Sequence, residues 1–573
     1  MHKLLSSYAF TLLAIAPAMA QWRFEGDSTP TWEAVIARYE GLDQMHRGAK
    51  LFEIGTDDDG SPIHLFVISD GSGFTPDSIR AAGKNILWIT NGIHPGEPDG
   101  IDASLMLAQA LLESDQLMGL TVRTAVCIVP VYNVSGAKQR NSASRVNQNG
   151  PAEYGFRGNA RNLDLNRDMI KADSRNTRSL LTALTHWGPD VYFETHVSNG
   201  ADHQYVMELL TSQKNKLDPA LSRFVQRTLV PDLQAWMERK GIPMCPYFET
   251  IGATPEEGLT GFVDGPRYSS GHAALRDRIG ILSESHMLKP YADRVNATFQ
   301  LMLATLAAMS ERQSELHAAL YEARTNTIAS RSFGFNWAID TTQKEQLDWA
   351  GYAAERTPSK VSGLERVSYD RARPTLTQVP WMDHAKPGIS LTKPKAYLVP
   401  QAWHEVIERL QLDGVEMRRL ERSTEFDAEV QYIEDLKTTT GPFEGHYLHY
   451  DITTTTTSEV VRAEPGDVLV PMGKGTDRLV MEILEPRASD SYFAWGFFDA
   501  ILQQKEWFSD YIFEDIAAKL LSEDPKLRAG LKERCDADPE FASDAWGQLY
   551  YVYKQSPYFE KSFRRYPVHR IME

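Results

Sequence analysis

His94 and Glu97 stand three positions apart in Asn91-Gly-Ile-His-Pro-Gly-Glu-Pro-Asp-Gly100, where the apolar run Ile86-Leu-Trp-Ile-Thr90 gives way to a Gly/Pro-rich turn. An imidazole and a carboxylate at that spacing can converge on one Zn²⁺, with ligand distances of about 2.0–2.2 Å. Alone the pair is weak, because a chain of this length with 15 His holds about one His-x-x-Glu by chance. A third ligand comes from His196, which ends the strand-like run Pro189-Asp-Val-Tyr-Phe-Glu-Thr-His196, and Glu284 closes a similar run, Arg278-Ile-Gly-Ile-Leu-Ser-Glu284. Two imidazoles, one carboxylate ligand and a spare carboxylate are the parts of a catalytic zinc site. The open coordination position carries a water of lowered pKa, and the spare carboxylate takes its proton.

The elements around these residues must bring them together. From Trp32 to about Arg324 the chain alternates strands with helices: Ile63–Ile68, Ile86–Thr90, a helix over Ile101–Ser114, Thr124–Val131, a helix over Asn176–Trp187, and Val191–His196. The alternation predicts an α/β fold, a mixed, largely parallel sheet flanked by helices. In such sheets ligands bind beyond the carboxyl ends of strands, where His94, Glu97, His196 and Glu284 all fall. Helical segments Pro219–Lys240, kinked at Pro231, and Tyr291–Arg324 complete the unit.

In this order the motifs resemble those of the zinc metallocarboxypeptidases, the carboxypeptidase A-like family: His-x-x-Glu (His94, Glu97), Asn-Arg within Asn162-Leu-Asp-Leu-Asn-Arg-Asp168, a strand-end His (His196) and a late Glu in Ser283-Glu-Ser-His-Met-Leu-Lys289. Four motifs in that order over about 190 residues are far more specific than any one of them. The resemblance implies that His94, Glu97 and His196 bind one Zn²⁺ per chain and that Glu284 is the general base. It also implies that Asn166 and Arg167 hold the free C-terminal carboxylate of a peptide, a bidentate task suited to guanidinium. The family also uses an upstream Arg to polarise the scissile carbonyl. Arg140, Arg145, Arg157 and Arg161 lie in that window, and Arg145 is favoured. Tyr268 is the counterpart of the family's mobile Tyr.

Composition narrows the partners. A net charge of −17 opposes nucleic acid, whose binding needs a basic face. Residues 1–20, with Lys3, the apolar stretch Ala9–Ala16 and the small-residue end Ala18-Met-Ala20, read as a secretory signal peptide. No other apolar run approaches 18 residues, so a periplasmic or secreted protein without a membrane span is expected. Three Cys (Cys127, Cys245, Cys535) are too few for a disulfide framework, and one pairing, Cys245 with Cys535, is open. No Gly-x-Ser-x-Gly elbow, phosphate-binding loop or His-Glu-x-x-His helix competes with metallohydrolysis.

The organisation expected is a signal peptide (1–20), a zinc carboxypeptidase-like catalytic domain (21–325), a connector packed on the core (326–395) and an accessory α/β domain of unknown role (396–573). In the connector Trp337, Trp349, Tyr352 and Trp381 need burial. In the accessory region Ala396–Pro400, Trp403–Leu412 and Val415–Leu420 read as a βαβ unit, and strands Tyr447–Thr454 and Val460–Ala463 and the run Asp467–Pro471 precede helical segments to the end. His203, just past His196, reads as a loop or orienting residue rather than a ligand. His446 and His449, three apart on an expected strand, point to opposite faces and read as structural. The function expected is removal of C-terminal residues from peptides. The alternatives are a zinc amidase acting on cell-wall peptides or N-acyl amino acids, and a non-catalytic peptide-binding module.

Overall fold

The computed structural model describes residues 22–572. The signal-peptide reading of residues 1–20 lies outside them.

Eight strands form the central sheet: β1 (Ala49–Thr56), β2 (Pro62–Ile68), β3 (Asn85–Thr90), β4 (Thr124–Val129), β5 (Val191–Ser198), β6 (Met207–Thr211), β7 (Met244–Pro246) and β8 (Ile279–His286). Their spatial order is β1-β2-β4-β3-β5-β8-β6-β7. The centre is parallel, with β4, β3, β5 and β8 running side by side in one direction, while β1–β2, β2–β4 and β8–β6 are antiparallel. Parallel strands need both faces covered, and the alternation of side chains provides two apolar faces. Leu87, Ile89, Phe193, Ile279 and Ile281 pack with helices Trp32–Met45, Asp99–Glu113 and Tyr291–Glu311. Ile86, Trp88, Cys127 and Tyr192 pack on the other side with helix Arg175–Trp187.

The same alternation sorts the polar residues. Glu194 and His196 on β5, Glu284 and His286 on β8, and Glu208 on β6 all share the face of Tyr192, because residues two apart on a strand point the same way. Glu284 is in register with His196 on one side and with Glu208 on the other.

Several expectations change in detail. Pro219–Lys240 is distorted by a π-helical turn at Val225–Leu229 that runs into the helix start at Val230, rather than by a simple kink. Pro231 lacks an N–H, which frees a carbonyl one turn upstream and makes the wider turn tolerable. The second long helical segment breaks at Arg312 into Tyr291–Glu311 and Gln313–Ala329. All three Cys are free, so the Cys245–Cys535 pairing does not form.

Residues 326–395 contain a long antiparallel hairpin, β9 (Glu345–Pro358) with β10 (Glu365–Met382). Trp349 and Trp381 are buried, whereas Trp337 and Tyr352 stay partly exposed.

The C-terminal region is built on β11 (Ala396–Val399), β12 (Arg418–Arg419), β13 (Thr424–Thr438), β14 (His449–Ala463), β15 (Val468–Pro471) and β16 (His569–Ile571), in the order β12-β15-β11-β16-β13-β14. Its ladders are antiparallel. The βαβ unit is present as β11, helix His404–Leu412 and β12, with β15 inserted between the two strands. β13 goes beyond the sequence expectation, although Phe426, Ala428, Val430 and Tyr432 alternate with Glu425, Asp427, Glu429 and Gln431 in the pattern of a half-buried strand. The Thr453–Thr457 run lies within β14, and the chain ends in a strand wedged between β11 and β13 rather than in helix. Ile170 and Leu275 of the catalytic region belong to the C-terminal core with Tyr397, Val406 and Trp495, so the two regions share apolar packing.

Candidate metal centre

Two local features set the loop after β3 that carries His94 and Glu97. Gly92 takes the left-handed conformation (φ 65°) that lets the chain turn off the strand. Gly100 opens the helix Asp99–Glu113 so close to β5 that a Cβ there would lie 2.3 Å from Thr195 Cβ. Asn91 joins the same layer by accepting from Thr195 Oγ1 at 3.2 Å and donating to Ser104 Oγ at 3.0 Å. The fully buried Arg294 donates to Asp99 and to the carbonyls of Asn149, Gly150, Met287 and Lys289, pinning the loops on either side.

His94, Glu97 and His196 are buried and converge. His94 Nδ1 lies 3.3 Å from Glu97 Oε2, His196 Nδ1 lies 3.2 Å from that oxygen, and the two Nδ1 atoms are 3.2 Å apart. Ligand atoms at about 2.0–2.1 Å from a tetrahedral zinc are about 3.3 Å from one another. The triangle matches one face of such a tetrahedron. Two imidazole nitrogens facing each other at that distance beside a carboxylate are a donor set suited to zinc.

The far side of each ring supports the same fit. Nε2 of His196 lies 2.9 Å from Glu194 Oε2, and Nε2 of His94 lies 2.9 Å from Asp164 Oδ1. Carboxylates behind ligating His rings fix the tautomer and aim the other nitrogen. Glu194 is held in turn by Tyr192 and Ser269 at 2.8 and 2.6 Å. Asp164 is held by Arg157 Nε and Nη2 at 3.0 and 2.8 Å, and its backbone N–H donates to Glu444 of the C-terminal region. Burial opposes ionisation of Asp164, but His94, Arg157 and Arg167 outweigh it and hold the carboxyl far below its ordinary range. Glu97 is likewise ionised against its burial by Arg145 and His94.

His94, Glu97, Arg145, Asn166, Arg167, His196, Tyr268 and Glu284 all line one cavity of about 310 Å³. Glu284 is partly accessible within it. Burial pushes its carboxyl up to about 8, with Glu97 and Glu208 adding to the shift and His196 opposing it. Of the four upstream Arg, Arg140 turns to the Thr29, Pro30 and Glu153 carbonyls and Arg161 to the Asp173 carbonyl, both outside the cavity. Arg145 Nη1 stands 2.7 Å from Glu97 Oε1, and Arg157 also lines the wall, 3.5 Å from the same oxygen.

Asn166 and Arg167 sit on a 3₁₀ turn, Leu165–Arg167, capped by Asp164. Asn166 Oδ1 is buried without a partner. The Arg167 guanidinium lies 4.4 Å over the Tyr268 ring. The neighbouring Arg267 is anchored to Asp490 of the C-terminal region at 2.7 Å, which fixes the loop that presents Tyr268.

Some participants escape a reading of the sequence. Glu194 carries a legible signal, being two residues before His196 on the same strand face. Asp164 and Tyr247 carry none, since only folding brings Asp164 behind His94 and Tyr247 onto the wall beside Glu284.

A buried sheet-end cluster of two His and a carboxylate, with a second carboxylate facing it across a cavity, is an arrangement suited to metal-assisted hydrolysis. Residues 39–216 match the zinc carboxypeptidase family model. It is 23% identical over 428 residues to Carboxypeptidase 2 of Trichophyton rubrum, covering 72% of this chain and 73% of that one. It is also 23% identical over 422 residues to Probable carboxypeptidase 2 of Arthroderma benhamiae, covering 70% and 74%. Among solved structures, a metallo-carboxypeptidase from Burkholderia cenocepacia aligns at 17% identity and a TM-score of 0.37 over 49% of this chain and 69% of that one. The metallo-carboxypeptidase from Pseudomonas aeruginosa in complex with (2-guanidinoethylmercapto)succinic acid aligns at 18% identity and a TM-score of 0.37, over 50% and 68%. Among the described residues no helix is long and apolar enough to cross a membrane.

Proposed function

We propose that this protein removes C-terminal residues from peptides at a single zinc held by His94, Glu97 and His196, with Glu284 as general base. The observation that carries the reading is the convergence of the three ligand atoms at 3.2–3.3 Å, across one cavity from Glu284. Zinc bound there supplies Lewis acidity and a water acidified to a pKa of about 7.

The chain's own residues do the rest. Asn166 and Arg167 meet the free carboxylate of the substrate and set its terminal bond beside Glu284, a positioning role that favours exopeptidase cleavage. Glu284 accepts the proton of the attacking water and returns it to the leaving amine. Arg145 or Arg157, both on the wall, faces the carbonyl oxygen as charge builds on it. Loss of one such donor costs on the order of 3 kcal/mol. Tyr268, stacked under Arg167, lines the cavity where the substrate's terminal residue would sit.

The test is a panel of blocked dipeptides and tripeptides as free acids and as amides, with muropeptides and N-acyl amino acids alongside, before and after treatment with chelator. Chelator-sensitive release of the C-terminal residue from free acids alone supports the reading. Equal cleavage of amidated peptides, or internal cuts in long substrates, would refute it.

A further inference from the structure

One strand over from the cavity, a second group of two His and a Glu is buried: His203, Glu208 and His286, all fully enclosed. His203 Nε2 lies 3.0 Å from Glu208 Oε1, and His286 Nδ1 lies 3.3 Å from the same oxygen. These separations again suit neighbouring ligands of a tetrahedral zinc.

What distinguishes the cluster from an ordinary buried hydrogen-bond network is how much of it is left unmet. Both ring nitrogens of His286, Nδ1 of His203 and Oε2 of Glu208 have no hydrogen-bond partner. Buried polar groups are normally satisfied, and each orphan costs about 1–3 kcal/mol. Of these, His286 Nδ1 is on the side shared with His203 Nε2 and Glu208 Oε1, the point that a cation would occupy. The distance from His286 Nδ1 to Glu208 is right for a hydrogen bond while the angle is not, so the two groups face a common point rather than each other.

We infer that His203, Glu208 and His286 form a second divalent-metal site, most suited to zinc, whose role is structural. The surroundings fit a closed site rather than a catalytic one. The His203 ring lies 5.3–5.7 Å from the rings of Trp349, Phe248 and Tyr205, which wall it off from solvent. Ser198 Oγ donates to Glu208 and fixes the carboxylate. Asp202 stands behind His286, its Oδ1 3.9 Å from Nε2 and itself unpartnered, while Arg371 of β10 holds its other oxygen at 2.6 Å. At 3.9 Å Asp202 makes no hydrogen bond to His286 but places a negative charge beside the cluster. The ligands come from β6, the end of β8 and the loop between β5 and β6. That loop bridges to the hairpin, since His203 pairs with Gly351 of β9. A cation here would fasten β9–β10 to the central sheet. His203, expected from sequence to be a loop or orienting residue, is on this reading a ligand.

The test uses full-length protein stripped with chelator, dialysed, and titrated with Zn²⁺ and separately with Co²⁺, reading metal content and the visible Co²⁺ spectrum. Wild type should take up two equivalents. The His94→Ala/His196→Ala variant should keep one, and its melting temperature should rise on adding Zn²⁺, because a site in the folded chain alone stabilises by mass action. Glu208→Gln and His203→Gln/His286→Gln should each bind one equivalent fewer than wild type. Wild type saturating at one equivalent that His94→Ala/His196→Ala abolishes and Glu208→Gln leaves intact would overturn the inference, whereas the reverse pattern would overturn the catalytic reading. A His94→Ala/His196→Ala protein that is folded yet binds no metal would also overturn the inference. Loss of the equivalent assigned to His94 and His196 is read separately, so failure of the catalytic reading and failure of this one give different patterns across the variants.

Discussion

Glu194 Oε2 lies 2.9 Å from Nε2 of His196 while Nδ1 of the same ring faces Glu97 and His94 at 3.2 Å, so one imidazole is clamped between a carboxylate behind and the candidate metal ligands in front. The two carboxylates on β5 and β8 that share a face therefore have different work. Glu194 is fully buried and bonded to His196, Tyr192 and Ser269, which leaves it unable to act as a base, whereas Glu284 opens onto the cavity.

Glu194→Gln should keep the fold and weaken zinc by about 10–100-fold, the usual effect of losing a carboxylate behind a ligating His. Competition against a chelator of known affinity measures it. His196→Ala should lose most of the catalytic metal outright. Unchanged affinity in the Gln variant would detach Glu194 from the metal site.

Glu284→Gln should retain metal and lower turnover by at least about 10²-fold, as expected for a positioned acid and base. The pH dependence of stability offers a second readout in chelated protein. The folded carboxyl is raised to about 8, above an unfolded value of about 4.3, so the folded chain binds the extra proton between those limits. Stability should therefore fall as pH rises across that window. The Gln variant cannot ionise, so its melting temperature should exceed that of wild type at pH 8 and above, and the gap should close near pH 4.

Arg167→Ala should impair cleavage of free-acid peptides far more than any residual action on amides, seen in kcat/KM for matched pairs. Arg167→Lys should restore part of the loss, because an ammonium supplies charge without the planar fork. It also loses the flat stacking surface that sits over Tyr268.

Asp173 is expected to hold the C-terminal region to the catalytic one. Its oxygens lie 2.7 Å from His446 Nε2, 3.1 Å from Arg409 Nη2 and 3.2 Å from Lys171 Nζ. Burial works against its charge, but His446, Lys171 and Arg409 hold the carboxyl well below its ordinary value. A depressed folded pKa gives stability that is present above the unfolded value of about 3.9 and lost as pH falls toward the folded one. Asp173→Asn should cost on the order of 3 kcal/mol in denaturant unfolding at neutral pH, because it strands buried cations. The difference from wild type should shrink below about pH 4.

The sequence by itself determined the candidate ligand types, their order and the strand ends that carry them. An apolar run followed by a polar residue at its carboxyl end is a local pattern, and alternation fixes which residues share a face. His94, Glu97, His196 and Glu284 were legible for that reason, and Glu194 could have been. Only the tertiary structure decided which of four Arg reach the cavity, that Asp164 stands behind His94, and that Tyr247 joins Tyr268 on the wall. Those relationships join residues from different loops, whose directions depend on long-range packing rather than on local periodicity. The same holds for His203, Glu208 and His286. Nothing in their spacing marks them, and they meet because antiparallel β6 lies beside β8 and sets Glu208 opposite Glu284. The C-terminal sheet was harder still: its central strand, β16, lies at the very end of the chain, and a pairing across about 170 residues with β11 leaves no trace in local sequence.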